Sequence, residues 1–361
     1  MAKANLTTVS DINVSIREID FVTRFTRNWD ALREILGIMR PIRKQAGTKL
    51  TSYVTSLTLQ SGAVAEGDEI PYSKATITPV AYSDLTIEKY AKGVSIEAVN
   101  KYGAQVAVQR TDDEFLNQLQ GNVMTRFYDF LKTGTLRDAS TTFQMAVSMA
   151  IGRVRNKFQQ MHRDVTNIIV FANTLDVSAY LGSASITMQT SNGISYLKNF
   201  LGASVLIASS EIESGKVIAV PVGNIDLYYV DPSDSQFAQL GLNYTVEGET
   251  NLIGFHAEGD YKHAVGDVYA LMGMTLWAEY LDAIAIEYIG TATKVTSAET
   301  ITADASDTSL YKTAHSPVIS VQSLKDGSTE IPANKYTIVE DGVRLADTPS
   351  GTVTIKYTYV A

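Results

Sequence analysis

Residues 48–98 read as two long β-strands joined by a loop, and a two-stranded ribbon is rarely stable alone in water. Tyr53, Thr55, Leu57 and Leu59 alternate with Ser52, Ser56 and Thr58, a period of two. The stretch from Ser61 to Glu69 is small, glycine-bearing and acidic, as a loop tip is. Residues from about Lys74 to Ile96 return as a strand, with Pro79 marking an edge position. Such a ribbon needs a surface to lie on, and a second copy of the chain would supply one.

Two helices follow the ribbon and one precedes it. Phe21, Phe25, Trp29, Leu32 and Leu36 recur at helical spacing, while Arg17, Arg24 and Arg27 lie off that stripe. Gly37 and Pro41 end the pattern. This arm docks either on its own core or on a neighbouring subunit. Thr111 and Glu114 form a capping-box pattern, and Asp112 and Asp113 suit the positive end of a helix dipole. Leu116, Leu119, Val123, Phe127 and Phe130 continue that helix as one stripe, which Gly134 stops. A further helix is expected over about 140–161, carrying Phe143, Val147, Ile151, Val154 and Phe158.

From Val165 to Ile289 strand signals dominate, which makes the body α+β. Ile168-Ile-Val-Phe171 reads as a buried strand, with others at 204–208, 216–220, 225–230, 242–247 and 268–289. Residues 291–313 are rich in Thr, Ser, Ala and Asp, a linker or a loose first strand. Beyond them 318–323, 336–339, 343–345 and 353–360 form an all-β module, with Asp341-Gly342 as a tight-hairpin signal. Val353, Ile355, Tyr357 and Tyr359 share one face of the last strand, and a small core around Val321, Val353, Ile355 and Tyr357 is expected.

A chain of 361 residues is long enough for two or more folding units, and 45% apolar residues supply their cores. The absence of Cys excludes disulfides, thiolate zinc sites and a Cys nucleophile. No signal peptide or membrane-length apolar run occurs, so a soluble protein made in the cytosol is expected. Net charge is −9, yet residues 1–50 hold nine Lys/Arg against five Asp/Glu, leaving −13 on the rest. An acidic body argues against gripping nucleic acid over a wide surface. The basic start is either a solvated helix face or a contact for an acidic partner or packaged nucleic acid.

Phosphate-loop, nucleophile-elbow and zinc-protease motifs are all missing. His256 and His263, around Glu258 and Asp260, read as a polar loop and not as a metal site. Asp231-Pro-Ser-Asp234 and Asp304/Asp307 read as turn chemistry and not as cation loops. The 19 Tyr, scattered through strand signals, suit sheet packing and interfaces better than base stacking. No catalytic residue, cofactor site or metal site is expected.

Several segments, taken in order, carry a resemblance. They are Asn28-Trp-Asp-Ala-Leu-Arg-Glu-Ile-Leu-Gly37 leading into Gly47-Thr-Lys-Leu-Thr-Ser-Tyr53, then Gly67-Asp-Glu-Ile-Pro-Tyr72, and Thr86-Ile-Glu-Lys-Tyr-Ala-Lys-Gly-Val-Ser-Ile-Glu97. Phe127-Tyr-Asp-Phe-Leu131, Ile168-Ile-Val-Phe-Ala-Asn173 running into Leu175–Leu181, and Phe200-Leu-Gly-Ala-Ser-Val-Leu-Ile-Ala-Ser209 complete the set. Over about residues 15–290 this resembles the major capsid proteins of tailed bacteriophages, with the Hong Kong 97-like fold. The resemblance implies an N-terminal arm (1–47), an extended loop (48–98) and a peripheral domain with a spine helix (99–139, joined by a returning strand, 262–292). It also implies an axial domain (140–261), while 293–361 is similar to immunoglobulin-like modules appended to some phage structural proteins.

The implied function is structural: self-assembly as hexamers and pentamers into the icosahedral shell of a phage head. Scaffolding and portal proteins would be partners, packaged double-stranded DNA would lie nearby, no membrane would be involved, and the location would be the virion after assembly in the host cytoplasm. An encapsulin-like compartment shell, a tail-tube or surface-adhesion protein and an enzyme remain as alternatives. Some members weld subunits through a Lys in the extended loop. Here the tip from Ser61 to Tyr72 has no Lys and carries Glu66, Asp68 and Glu69, so noncovalent contact to basic groups of a neighbour is expected. With these, Arg17, Arg24, Arg27, Phe21, Phe25 and Trp29 are the candidate inter-subunit contacts.

Overall fold

A computed structural model describes residues 39–65, 69–182, 188–191, 194–246 and 251–361. The arm with Arg17, Phe21, Arg24, Phe25, Arg27 and Trp29 lies outside the described residues, as do Glu66 and Asp68. In chain order the first strands are β1 (Met39–Arg43), β2 (Lys49–Thr58), β3 (Lys74–Asp84) and β4 (Glu88–Ser95). Then come helix α1 (Ile96–Tyr102), a π-helical turn (Gln105–Arg110), α2 (Thr111–Leu131), β5 (Leu136–Ser140) and α3 (Phe143–Gln160). β6 (Ile168–Asn173), α4 (Thr174–Leu181), β7 (Gln189–Ser191), β8 (Ile194–Phe200) and β9 (Ala203–Ser209) follow. Next are β10 (Lys216–Pro221), β11 (Ile225–Tyr229), α5 (Ser235–Gln239), β12 (Ile253–Asp260), β13 (Val265–Met272), β14 (Met274–Ala278) and β15 (Ala285–Ile289). The last strands are β16 (Ala292–Lys294), β17 (Glu299–Ile301), β18 (Leu310–Lys312), β19 (Val318–Asp326), β20 (Thr329–Glu330), β21 (Tyr336–Val339), β22 (Gly342–Leu345) and β23 (Val353–Val360). The architecture is α+β, and no helix among the described residues is long and apolar enough to cross a membrane.

The described chain forms two compact units, one of residues 41–115 with 227–277, the other of 39–40, 116–226 and 278–361. In the first, β2 and β3 pair, among the described residues, only with each other, antiparallel from Thr58↔Lys74 down to Lys49↔Asp84. At the ribbon's foot Gly47 N–H donates to Leu85 O and Leu85 N–H to Thr48 O, and both Leu50 and Leu85 are buried. β4 then pairs with β13 and β13 with β12, all antiparallel.

The second unit is built on a seven-stranded mixed sheet in the order β5-β15-β10-β6-β9-β8-β7. Every residue of β6 and β10 is buried, because helices cover both faces. Val147, Ala150, Ile151 and Val154 of α3 pack with Val170, Ala172, Leu206 and Val217 on one face. On the other, Phe127 and Tyr128 of α2 meet Phe171 edge to face, with centroids 5.7 and 5.8 Å away. The continuous apolar run expected at 168–171 therefore lies in the middle of a covered sheet. After α2 the chain passes so close to Ile284 that a Cβ on Gly134 would stand 2.8 Å from Ile284 O.

The C-terminal strands make two sheets, one with the order β16-β23-β19-β20 plus β17 on β23, the other β18-β22-β21. Between them Ile301, Leu324, Val343, Val353, Ile355 and Tyr357 are buried together, with Val321 half-buried against them. Tyr357 donates to Glu299 Oε2 at 2.7 Å and accepts from His315 N–H, so its hydroxyl is satisfied inside the core.

Several expectations change. Thr111 does not cap a helix start: the chain is already helical upstream, and its hydroxyl donates back to Ala107 O and Val108 O. Leu131 joins the buried stripe of α2 where Phe130 was expected, and Phe130 is half-buried. Of the strand expected at 242–247, the described residues 242–246 form only a bridge from Thr245 to Phe255, and β12 is the strand. The segment 262–292 is not one returning strand. Its β13 pairs with β4, whereas β15 joins the seven-stranded sheet. Residues 291–313 hold three short strands, and the turn before Gly342 consists of Glu340 and Asp341.

Candidate assembly surface

Beyond its foot, the ribbon carries apolar side chains that no other described residue covers. Leu57, Val64 and Ile70 are exposed, Leu59 is 78% exposed and Tyr72 is 91% exposed. Their polar neighbours hold the outer end together only lightly: Gln60 N–H donates to Ser73 Oγ at 3.0 Å. Of the acidic tip residues, Glu69 is described and exposed. Single exposed apolar residues are ordinary, but a run of them along one protruding element marks a contact surface.

The same unit carries a second apolar feature. Ser95 caps α1, accepting from Ala98 N–H, and Gly103 ends it. The π-helical turn follows, anchored by Lys92 of β4, whose ammonium pairs with Asp112 and reaches Val108 O. An open groove of about 720 Å³ runs between β4 and this turn, lined by Val94, Ala98, Tyr102, Val106, Ala107 and Val265. A second, of about 460 Å³, lies between α1 and the β12–β13 turn, with Ile96, Val99, Val108, Tyr261 and Ala264 among its walls. Ile96, Tyr102 and Val106 are exposed, and Tyr261 is fully so. Lys101, with its ammonium 5.2 Å from the Tyr102 ring, and Arg110 are the exposed cations of this segment.

This groove was missed in the sequence. Ile96, Val99, Tyr102 and Val106 are spaced 3, 3 and 4 apart, a helical stripe with no obvious core to meet. A strand that ends at Ile96 and a helix that begins at Thr111 leave this stripe outside both elements.

The histidines sit differently from the expected polar loop. His256 is in β12 opposite Tyr269, and His263, in the following turn, bonds through Nδ1 to Asp260. That carboxylate raises the His263 pKa, and the contact lowers that of Asp260. Among the described residues no group of three or more His, Asp or Glu side chains is placed to hold a metal ion. Asp231 makes an Asx turn to Ser233 N–H and accepts from Asn251 Nδ2, with Arg43 at 3.1 Å. Asp304 and Asp307 likewise turn onto Ser306 and Ser309 and pair with Lys312 and Arg344.

No protein-family model matches this chain, and no curated protein does. Solved structures do. A structure from Mycobacterium phage Patience is similar at 10% identity and TM-score 0.47, covering 80% of this chain and 93% of that one. The encapsulin of Synechococcus elongatus is 13% identical with TM-score 0.43, over 79% of this chain and 92% of that one. A virus-like particle protein from Pyrococcus furiosus is 12% identical with TM-score 0.41, over 76% and 100%.

Proposed function

We propose that this protein is a shell subunit of the tailed-phage major capsid type, which joins other copies of itself through its ribbon. The observation that carries this reading is that, among the described residues, β2 and β3 pair with each other alone, while Leu59, Ile70 and Tyr72 stand exposed beyond them. An exposed apolar stretch and an open apolar groove on one chain suit a head-to-tail contact, and such contacts form rings where the rotation closes. Glu66, Asp68 and Glu69 then approach Lys101 and Arg110 of the neighbour, surface pairs worth about 0–1 kcal/mol each. The wider proposal is a phage head of hexamers and pentamers enclosing double-stranded DNA, with scaffolding and portal proteins as assembly partners. The appended β module favours this over an encapsulin-like compartment.

The test is assembly of the purified chain, followed by sedimentation and negative-stain imaging with and without a scaffold. Burying Leu59 and Ile70 contributes about 1.5–3 kcal/mol each. The double variant Leu59→Ser, Ile70→Ser should therefore need about 100-fold or more higher concentration to assemble, at about 1.4 kcal/mol per tenfold. Monomers alone at every concentration, or an unshifted threshold in the variant, would overturn the reading. Nuclease-protected DNA in shells from a producing host separates a phage head from a compartment.

A further inference from the structure

We infer that the C-terminal module, residues 292–361, guards the free edge of the seven-stranded sheet and so keeps copies of the chain from pairing there. β5 is the end strand of that sheet, with β15 on one side and no strand on the other among the described residues. Its parallel register to β15, from Ala285↔Leu136 to Ile289↔Ser140, leaves the amides of Arg137 and Ala139 facing outward. An open edge of this kind is a template for another chain's strand.

One observation places the module against β5, and three more seat it on this side of the sheet. β16 and β19 lie against β5. Ile319 of β19 is only 5% exposed yet does not belong to the module's own core, so something outside that core covers it. Lys216 of β10, 3% exposed, pairs with Glu213 and with Glu340 Oε2 at 2.7 Å, and Glu340 sits in the β21–β22 turn of the module. Val360 packs so tightly on Gly290, the residue after β15, that a Cβ there would lie 2.3 Å from Val360 Cγ1.

The module covers the edge without extending the sheet. The outward amide of Ala139 donates to Asp138 Oδ1 at 2.8 Å and not to a module carbonyl. A hanging ornament would leave Lys216 without one of its two carboxylates and Ile319 in water. A seated guard satisfies both. The proposed shell contact through the ribbon is a separate surface, and this inference does not depend on it.

Two substitutions in the full chain loosen the seat from opposite sides. Glu340→Lys sets a second ammonium against Lys216 at an exposed turn, and Gly290→Val wedges Val360 away. Hydrogen exchange reads both strands. The expected result is exchange at 136–140 at least tenfold faster in either variant, with 353–357 as protected as in the parent. Thioflavin-binding aggregates should also form at concentrations where the parent stays clear. Unchanged exchange at 136–140 in both variants would overturn the inference. So would equal loss at 353–357 in both, because module and edge would then melt as one body.

Discussion

Replacing Arg153 by Met isolates a buried carboxylate whose cost follows from its surroundings. Glu287 is fully buried in β15, accepting from Ser140 Oγ at 2.5 Å and from Arg153 Nε at 3.0 Å. The second arm of Arg153 reaches Asp138 at 2.5 Å. Burial pushes the Glu287 pKa up, against the pull of Ser140 and Arg153. Methionine keeps much of the stem's packing and removes the charge, leaving Glu287 one hydroxyl. Breaking a buried pair in this way costs about 3–5 kcal/mol. A carboxyl whose folded pKa exceeds its unfolded value stabilises the fold below the unfolded value, and that contribution is lost as pH rises through the folded pKa. The deficit should therefore be full at neutral pH. It should shrink on acidification by up to about 1.4 kcal/mol per unit, until the unfolded carboxyl also protonates near pH ~4.3. Urea unfolding of parent and variant between pH 7.5 and 4.5 measures this. A deficit below about 1 kcal/mol at neutral pH, or one that grows on acidification, would refute the reasoning.

Two further outcomes concern the C-terminal module. Burial beside Glu299 pushes Tyr357 up to about 12, so its ultraviolet tyrosinate step should come well above the ordinary tyrosine range, and Tyr357→Phe should remove it. Losing that bond to a carboxylate should cost about 1.5–3 kcal/mol in the module's unfolding transition. Gly342→Ala should prevent β22 from closing on β18, because its Cβ would fall 2.0 Å from Tyr311 O. Near-ultraviolet dichroism of the module tyrosines would report the loss, and a variant with the parent spectrum and melting point would contradict the packing.

What was legible in the sequence is what short-range periodicity encodes. Alternation at 53–59 marked the ribbon, the stripe from Leu116 to Phe127 marked α2, and alternation at 353–357 placed three side chains that are indeed buried. The continuous run at 168–171 read as a covered strand because both of its faces need apolar residues. Glycine signals pointed to the right places for another reason: Gly134 and Gly342 are set by the close approach of Ile284 and Tyr311. Those neighbours are far away in the chain, so only tertiary structure could name them. The capping pattern at Thr111 failed for a similar reason, since β4 supplies Lys92 to pair with Asp112 and lets the helix continue upstream. Strand β12 escaped notice because Gly254, His256 and Glu258 carry little β-propensity, and its partner β13 holds it in place. Local pattern thus determined the most regular strands and helices. Pairing across long sequence separations decided which sheet each strand joined, left the groove beside α1 open, and seated the module on β5, because those contacts depend on neighbours that no local window contains.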